Sequence, residues 1–274
     1  MLSLPLLVTT HELADQLGQP GLRVVDLSRS AIHRQTHLPG AVPLDFRRLQ
    51  LGAPSAPGLL PSPGSIATLM AQLGITPDVQ VVAYDDEGGG WASRLLWLLQ
   101  SVGHTRYSLL DGGIHAWLQA GLPTADGVGI CPPVVEHDWQ LNDSASVSLE
   151  WLLEHHRDDE VVLWDARSQD EYEGVRVYAN RGGHIPGAVH YEWTRLMDAG
   201  NRLRLRPRED LHAELAALGV TSPRRVVTYC QTHHRSSLCW LVGRLLNLDI
   251  VAYPGSWAEW GNLPETPVEN PQYV

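Results

Sequence analysis

A short polar loop in the second half of the chain has the residue types of a nucleophilic site. An apolar run ends at Tyr229, and a helix-like pattern begins around Arg235 or Ser236. The pattern places Cys230 at the carboxyl end of a buried parallel strand, where α/β sheets bind ligands. Amide N–H groups and the helix dipole stabilise an anion there, so we expect a thiolate of lowered pKa. The loop and its first helical residues are Cys230, Gln231, Thr232, His233, His234, Arg235 and Ser236.

A cysteine in such a loop can be a structural residue, a metal ligand or a catalytic nucleophile. Buried structural thiols do not normally have two histidines and an arginine beside them. Zinc sites usually combine two separated pairs of ligands, whereas Cys230, His233 and His234 fall within five residues. The residues therefore favour nucleophilic catalysis by a thiolate, without a metal.

The spacing between the cysteine and the arginine separates two chemistries. Cysteine phosphatases place five residues between the two, and their loop wraps a tetrahedral phosphate. Here four residues separate Cys230 from Arg235. A shorter loop makes a smaller cradle, which suits a bound sulfur atom better than a phosphoryl group. The spacing favours sulfur transfer over phosphate hydrolysis.

The chain contains two copies of one pattern, at an offset of roughly 140 to 147 residues. Residues 37–42 read His-Leu-Pro-Gly-Ala-Val and residues 184–189 read His-Ile-Pro-Gly-Ala-Val. Further landmarks repeat in the same order. They are Val24–Arg29 with Leu163–Ser168, Leu73–Pro77 with Leu218–Pro223, and Asp111–Gly113 and Trp117 with Pro254–Ser256 and Trp260.

Each copy alternates short apolar, β-branched runs with amphipathic helical patterns. Such alternation predicts an α/β fold of two homologous domains, each a mainly parallel sheet flanked by helices. We expect domains at 1–122 and 147–274. The stretch 123–146 is rich in Gly, Pro, Asp and Ser and is predicted to be a linker. Its apolar residues predict that it packs on the domains, namely Val134, Val135 and Trp139.

The first copy lacks the thiol. Aligned at Tyr84 and Tyr229, the position of Cys230 holds Asp85 in the sequence Asp85-Asp86-Glu87-Gly88-Gly89-Gly90. Three carboxylates replace the cysteine and its cationic neighbours, and we expect them to repel an anion. The first domain is therefore predicted to be catalytically inactive.

The composition excludes several classes of partner. The net charge of −11 argues against nonspecific nucleic-acid binding, which needs a basic surface. The chain has no lysine, so an anionic substrate must be held by arginine, protonated histidine or backbone N–H groups. No apolar run approaches the roughly 20 residues that span a bilayer, so we expect no membrane partner.

The cysteines and the first residues indicate the compartment. Cys131, Cys230 and Cys239 are too few for a disulfide framework and suggest a reducing environment. The apolar start up to Val8 has no basic segment before it, so we interpret it as part of the first domain rather than a secretory signal. These features predict a cytoplasmic protein.

Over nearly its whole length the sequence resembles the tandem-domain rhodaneses, which are thiosulfate:cyanide sulfurtransferases. The Cys-x4-Arg loop resembles that of the bacterial members. Other family signatures match Asp165–Arg167, Gly183–Ala188 and Gly255–Trp257 with Trp260. The resemblance implies that Cys230 takes a sulfane sulfur from thiosulfate, forms a persulfide and passes the sulfur to cyanide or a thiol. It implies no metal or organic cofactor, and the acceptor of a carrier would be a protein partner.

The resemblance also assigns roles to the residues of the site. We expect Cys230 to be catalytic, with the loop residues from Gln231 to Ser236 binding substrate and Asp165, Arg167 and Trp257 supporting them. Eukaryotic thiosulfate enzymes and mercaptopyruvate enzymes have a substrate-binding arginine where this chain has Glu171. We expect that carboxylate to repel the donor, so that Arg235, His233 and His234 bind the anion with the loop amides.

Several other residues have a structural and a functional interpretation. Asp165 and Arg167 are expected to form a structural ion pair at a strand end. His37 and His184 occur in both copies and are expected to be structural. Trp257 and Trp260 form core or a pocket wall. Cys239 is expected to be a buried small residue rather than a resolving thiol.

Overall fold

The structure is a computed structural model that describes residues 2–130, 132–133 and 137–273. It divides into two compact units. The first comprises the residues up to Leu49, Pro61–Asn142 and Met197–Leu205. The second comprises Gln50–Leu60, Asp143–Leu196 and the residues from Arg206 onward. Each unit therefore includes a segment from the half of the sequence that mainly builds the other unit. The boundaries at 1–122, 123–146 and 147–274 stay a prediction.

The first half of the sequence alternates strands and helices. Its elements are β1 (Leu7–Val8), α1 (Thr10–Ala14), β2 (Leu22–Asp26), α2 (Ser30–Gln35), β3 (Val42–Pro43), α3 (Pro63–Gln72), β4 (Gln80–Tyr84), α4 (Gly90–Ser101), β5 (Tyr107–Leu110) and α5 (Gly113–Gln119).

The second half repeats the alternation. Its elements are α6 (Leu149–His155), β6 (Val161–Asp165), α7 (Gln169–Tyr172), β7 (Val189–His190), β8 (Met197–Asp198), β9 (Arg204–Leu205), α8 (Arg208–Ala217), β10 (Arg225–Tyr229), α9 (Arg235–Leu245), β11 (Ile250–Ala252) and α10 (Ser256–Trp260).

Each unit is built on a parallel sheet, as predicted. The order of strands in the first is β1-β5-β4-β2-β3, and in the second β11-β10-β6-β7. The central strands β4 and β10 consist mainly of buried residues, because helices cover both faces of such a sheet. Parallel strands end at the same edge, so the residues after β10 and β6 meet there.

The duplication extends to individual hydrogen bonds. Tyr84 pairs in register with Asp26, and Tyr229 pairs in register with Asp165. The Tyr84 hydroxyl accepts from the amide of Leu38 at 3.1 Å, and the Tyr229 hydroxyl accepts from Ile185 at 3.2 Å. The two histidine-proline-glycine segments are thus fixed to their sheets in the same way.

The stretch predicted as a linker is only partly described. Trp139 is buried, as expected for a packed segment, whereas Cys131, Val134 and Val135 lie outside the described residues. Among the residues that the structure does describe, no helix combines the length and apolar character that crossing a bilayer requires.

Candidate active site

Cys230 lies between the end of β10 and the start of α9, as the sequence predicts. The preceding strand residues from Val226 to Tyr229 are buried, and the thiol itself is buried. His233 adopts a left-handed backbone conformation with φ of 50°, which turns the chain sharply into α9. The strand and helix therefore hold both ends of a five-residue turn around the sulfur.

The N-terminus of α10 fixes the loop from the opposite side. The Ser256 hydroxyl accepts from the amides of Cys230 at 3.3 Å and His233 at 3.1 Å, and it donates to the Tyr253 carbonyl. The Trp257 amide donates to the Cys230 carbonyl at 2.9 Å, and the Ala258 amide donates to Gln231. Four hydrogen bonds thus tie the Cys230 turn to a single short helix.

The surroundings of Cys230 favour its thiolate. Burial raises the pKa of the thiol. Three neighbours lower it by a larger amount: Arg235 through its charge, Ser236 through hydrogen bonds from its hydroxyl and amide, and His234 through its charge. The net direction is a thiol pKa below the ordinary value. This outcome agrees with the expectation for a cysteine at a helix N-terminus.

Arg235 forms a two-point ion pair with Glu171. Its Nη1 lies 2.6 Å from Oε2 and its Nη2 lies 2.8 Å from Oε1. Burial opposes ionisation of Glu171, but the hydrogen bonds and charge of Arg235 lower its pKa to about 2. The Glu171 charge is therefore balanced by Arg235, and repulsion of the donor by Glu171 stays a prediction.

The other loop side chains take different positions. The buried His233 ring places Nδ1 2.8 Å from the Ser236 hydroxyl, and the half-buried His234 ring lies 5.8 Å from that of Trp193. Gln231 donates to the Tyr178 carbonyl at 3.1 Å. Direct contact of Gln231, Thr232, His233, His234, Arg235 and Ser236 with substrate stays a prediction.

A segment from the first half of the sequence packs on this loop within the second unit. The side-chain amide of Gln50 donates to the Thr232 carbonyl at 3.2 Å. A Cβ at Gly58 would overlap the carbonyl oxygens of Thr232 and Pro254. The chain can approach the loop this closely only because Gly58 has no side chain.

Asp165, Arg167 and Trp257 form a buried cluster beside the ends of β6 and β10, and a role in supporting the loop stays a prediction. Arg167 donates from Nε to Asp165 Oδ1 at 3.0 Å, from Nη2 to Oδ2 at 2.5 Å, and from Nη2 to the Gly183 carbonyl at 2.8 Å. Its guanidinium lies 4.5 Å from the centre of the Trp257 ring. All three side chains are buried, so they form the ion pair and core expected at this strand end.

Cys239 and the paired histidines have the surroundings of structural residues. Cys239 is buried, and burial together with the nearby Cys230 raises its thiol pKa well above the usual range. His37 stacks on His33 with ring centres 4.0 Å apart, and His184 stacks on Tyr172 at 3.7 Å. These contacts explain why both copies retain a histidine there.

The first unit fills the equivalent turn with its own carboxylate. Asp85 Oδ1 accepts from the amides of Glu87, Gly88 and Gly89, and Oδ2 accepts from Ala92, at 2.8 to 3.1 Å. Burial and the charge of Glu87 still raise its pKa to about 6. The expectation that this loop simply repels anions is incomplete, because its amides bind an internal one.

Across the described ranges, no group of three or more His, Cys, Asp or Glu residues is arranged to hold a metal ion. That observation leaves the predicted absence of a cofactor as a prediction.

Comparison with known proteins identifies the family. The model of the rhodanese-like domain matches residues 9–120 and again residues 148–263. The chain belongs to the rhodanese family. A thiosulfate sulfurtransferase of Azotobacter vinelandii is 44% identical over 97% of this chain and 98% of its own. A sulfur carrier protein of Thermus thermophilus is 31% identical over 96% of this chain and 95% of its own.

A solved structure agrees with this assignment. The crystal structure of a 3-mercaptopyruvate sulfotransferase from Escherichia coli is 26% identical and has a TM-score of 0.81. The match covers 93% of this chain and 99% of that chain. The prediction of a tandem α/β rhodanese is confirmed.

Sequence reasoning missed two residues that shape the rhodanese loop. The family signature contains Ser256 but assigns it no role. The first copy has Gly113 at the equivalent position. A Cβ at Gly113 would overlap the Asp85 carbonyl, so the serine in the second copy was a detectable difference. Gly58 had no such signal, because its contact joins residues far apart in sequence.

Proposed function

We propose that this rhodanese is a thiosulfate sulfurtransferase that carries sulfur as a persulfide on Cys230. The observation that supports it is the buried Cys230 in a turn whose arginine, histidine and serine lower the thiol pKa. Names of relatives at up to 44% identity point to the same reaction. The family alone does not confer it, since the first unit has Asp85 at that position.

The first half-reaction transfers one sulfur atom without a cofactor. The Cys230 thiolate attacks the outer sulfur of thiosulfate, and a new S–S bond forms as the bond to the sulfonate sulfur breaks. Sulfite leaves with the electron pair, and the persulfide keeps one negative charge. Loop amides and the charges of Arg235 and His234 stabilise that charge next to the helix N-terminus.

The second half-reaction regenerates the thiolate. Cyanide attacks the outer sulfur through carbon, the S–S bond breaks towards Cys230, and thiocyanate leaves. A thiol acceptor follows the same course to give a new persulfide. Because Cys230 must be kept reduced between turnovers, we propose that the protein works in a reducing compartment such as the cytoplasm.

The intact mass of the isolated protein tests the proposal. We expect an increment of one sulfur atom after incubation with thiosulfate and its loss on adding cyanide, with thiocyanate formed. Cys230→Ser should abolish both, whereas Cys239→Ser should retain them. Thiocyanate production by the Cys230→Ser protein would overturn the assignment.

The relatives also point to two alternatives that use the same thiolate. If the protein is a persulfide carrier, its sulfur should load stoichiometrically but turn over only when a protein acceptor is present. If 3-mercaptopyruvate is the donor, kcat/KM for that compound should exceed kcat/KM for thiosulfate. Hydrolysis of an aryl phosphate should be absent in every case, because the loop has four residues between cysteine and arginine.

A further inference from the structure

The imidazole ring of His233 is held in one position inside the second unit. Within the turn 230–235, His233 alone has a positive φ, at 50°, a conformation that the surrounding contacts must maintain. The Ser256 hydroxyl accepts from its amide at 3.1 Å, the Ser237 hydroxyl donates to its carbonyl at 2.7 Å, and Ser236 Oγ lies 2.8 Å from its Nδ1. Backbone and ring are therefore both fixed, and the residue is fully buried.

Ser236 connects this ring to the sulfur of Cys230. Its hydroxyl and its amide both hydrogen-bond to the sulfur, so the hydroxyl bonds to the imidazole on one side and to the sulfur on the other. Cys230, His233 and Ser236 are each 0% exposed, and hydrogen bonds in such surroundings polarise one another. The three side chains thus form one buried chain of hydrogen bonds.

The number of protons in this chain determines its direction. A serine hydroxyl has one proton and two acceptor lone pairs. When Cys230 is a thiolate its sulfur can only accept, so the Ser236 proton points to the sulfur. The Ser236 oxygen must then accept from His233, which places a proton on Nδ1. With a proton on Nε2 alone, Nδ1 would compete with the sulfur for the single hydroxyl proton.

We propose that His233 is a positioning residue, whose Nδ1–H group turns the Ser236 hydroxyl towards the sulfur of Cys230. In this role the ring need not touch the sulfur donor or the acceptor, because it acts through Ser236. The inference rests on the function proposed for Cys230 and deepens it. The oriented hydroxyl stabilises the attacking thiolate, and it stabilises the same sulfur as the leaving group when cyanide takes the outer sulfur.

Other ionisable groups near the sulfur stay unchanged in the variants that test this role. On the turn and the elements next to it they are Arg235 and His234, Glu171 of α7, Cys239 of α9, Glu259 of α10, Asp165 of β6 and Arg167 after it. The segment Gln50–Leu60 contains no ionisable side chain. A change in the Cys230 pKa between these variants therefore reports on the hydrogen-bond chain.

The pH dependence of Cys230 alkylation in the full-length protein, followed by peptide mapping, tests the proposal. Ser236→Ala should raise the pKa of Cys230 by about 1, because a hydrogen bond to an anion is lost. His233→Gly removes the ring, and glycine adopts a φ of 50° without strain. It should raise this pKa by about 0.5, and the double variant by no more than Ser236→Ala alone.

Two asparagine variants separate the donor group from the loss of a buried ring. His233→Asn keeps an N–H group close to the position of Nδ1, and asparagine tolerates a left-handed conformation. It should bring the Cys230 pKa back towards the wild-type value. The control His37→Asn removes an equally buried ring, whose Nδ1 bonds to the His33 carbonyl, and should leave the Cys230 pKa unchanged.

Nitrogen-15 NMR of the wild-type protein labelled in its histidines determines the tautomer without a substitution. At a pH above the thiol pKa, the His233 signals, assigned by their loss in His233→Asn, should show a proton on Nδ1. A proton on Nε2 alone would overturn the proposal, and so would additive effects of His233→Gly and Ser236→Ala on the Cys230 pKa. Neither measurement needs sulfur transfer, so failure to form a persulfide would refute the function proposed for Cys230 separately.

Discussion

The carboxylate of Glu171 holds the guanidinium of Arg235 by two hydrogen bonds of 2.6 and 2.8 Å. Ser168 in turn orients Glu171, because its amide and hydroxyl both donate to Oε2 at the start of α7. Arg235, which follows the Cys230 turn, is therefore held in position by Glu171 in the absence of substrate. Its charge acts on Cys230 from that position.

This pair predicts opposite effects of two substitutions on the thiol. In Glu171→Gln the Arg235 charge is no longer balanced, so the pKa of Cys230 should fall. In Arg235→Ala the cation is lost and an unpaired carboxylate remains, so the thiol pKa should rise by about 1 or more. The pH dependence of Cys230 alkylation, followed by peptide mapping, measures both.

The control for these variants is Glu214→Gln, which removes another arginine-carboxylate pair from the second unit. It should leave the pKa of Cys230 unchanged. Thiosulfate kinetics that are identical in Arg235→Ala and wild type would contradict a role for Arg235 in binding the anion.

The same pair predicts how acid affects stability. The pKa of Glu171 is about 2 in the folded protein, against an ordinary value of 4.5. A lowered carboxyl pKa stabilises the fold above the ordinary value, and the stabilisation is lost as the pH falls through about 2. The difference in unfolding free energy between wild type and Glu171→Gln should therefore shrink as the pH falls from about 5 to about 2, the range that these two pKa values define. A difference that stays constant over this range would contradict the prediction.

Gly58 predicts that the segment Gln50–Leu60 affects sulfur transfer. Gly58→Ala places a Cβ against the Thr232 and Pro254 carbonyls, and such overpacking costs about 1–3 kcal/mol. We expect faster proteolysis within the segment and slower persulfide formation. Gly64→Ala is the matched control, because a Cβ there meets nothing within 4 Å. Equal behaviour of the two variants would show that the contact is unimportant.

The sequence alone identified the elements around Cys230 because their signals are local. The apolar run that ends at Tyr229 and the polar turn after it predicted a strand and a helix, and the structure has β10 and α9 there. The Glu171–Arg235 pair could not be found this way, since it depends on how close two loops come. An isolated carboxylate in a sequence gives no sign of the cation that neutralises it.

Ser256 is predicted to be a positioning residue for the catalytic turn. Ser256→Ala leaves the amides of Cys230 and His233 without their acceptor, at a cost of about 1–3 kcal/mol for each buried group. We expect kcat for sulfur transfer to fall about tenfold or more and exchange of these amides with solvent to accelerate. Ser101→Ala removes an equally buried hydroxyl from α4 and should change neither.

Asp85 predicts that the first unit can be rescued by an added anion. Asp85→Ala removes the carboxylate that accepts the amides of Glu87, Gly88, Gly89 and Ala92. These donors, three of them in buried residues, then lack a partner, so we expect a lower melting temperature and faster hydrogen exchange in the peptide 85–92.

Formate can occupy the space that the side chain leaves, and it should restore both properties of the Asp85→Ala protein. Trimethylacetate, which is too large for that space, should not. Asp86→Ala removes a carboxylate from the same loop that pairs with Arg29 instead, so formate should stabilise it no more than wild type. If formate and trimethylacetate act equally on Asp85→Ala, the amides do not form an anion site, and the turn around Cys230 would need another source of its anion binding.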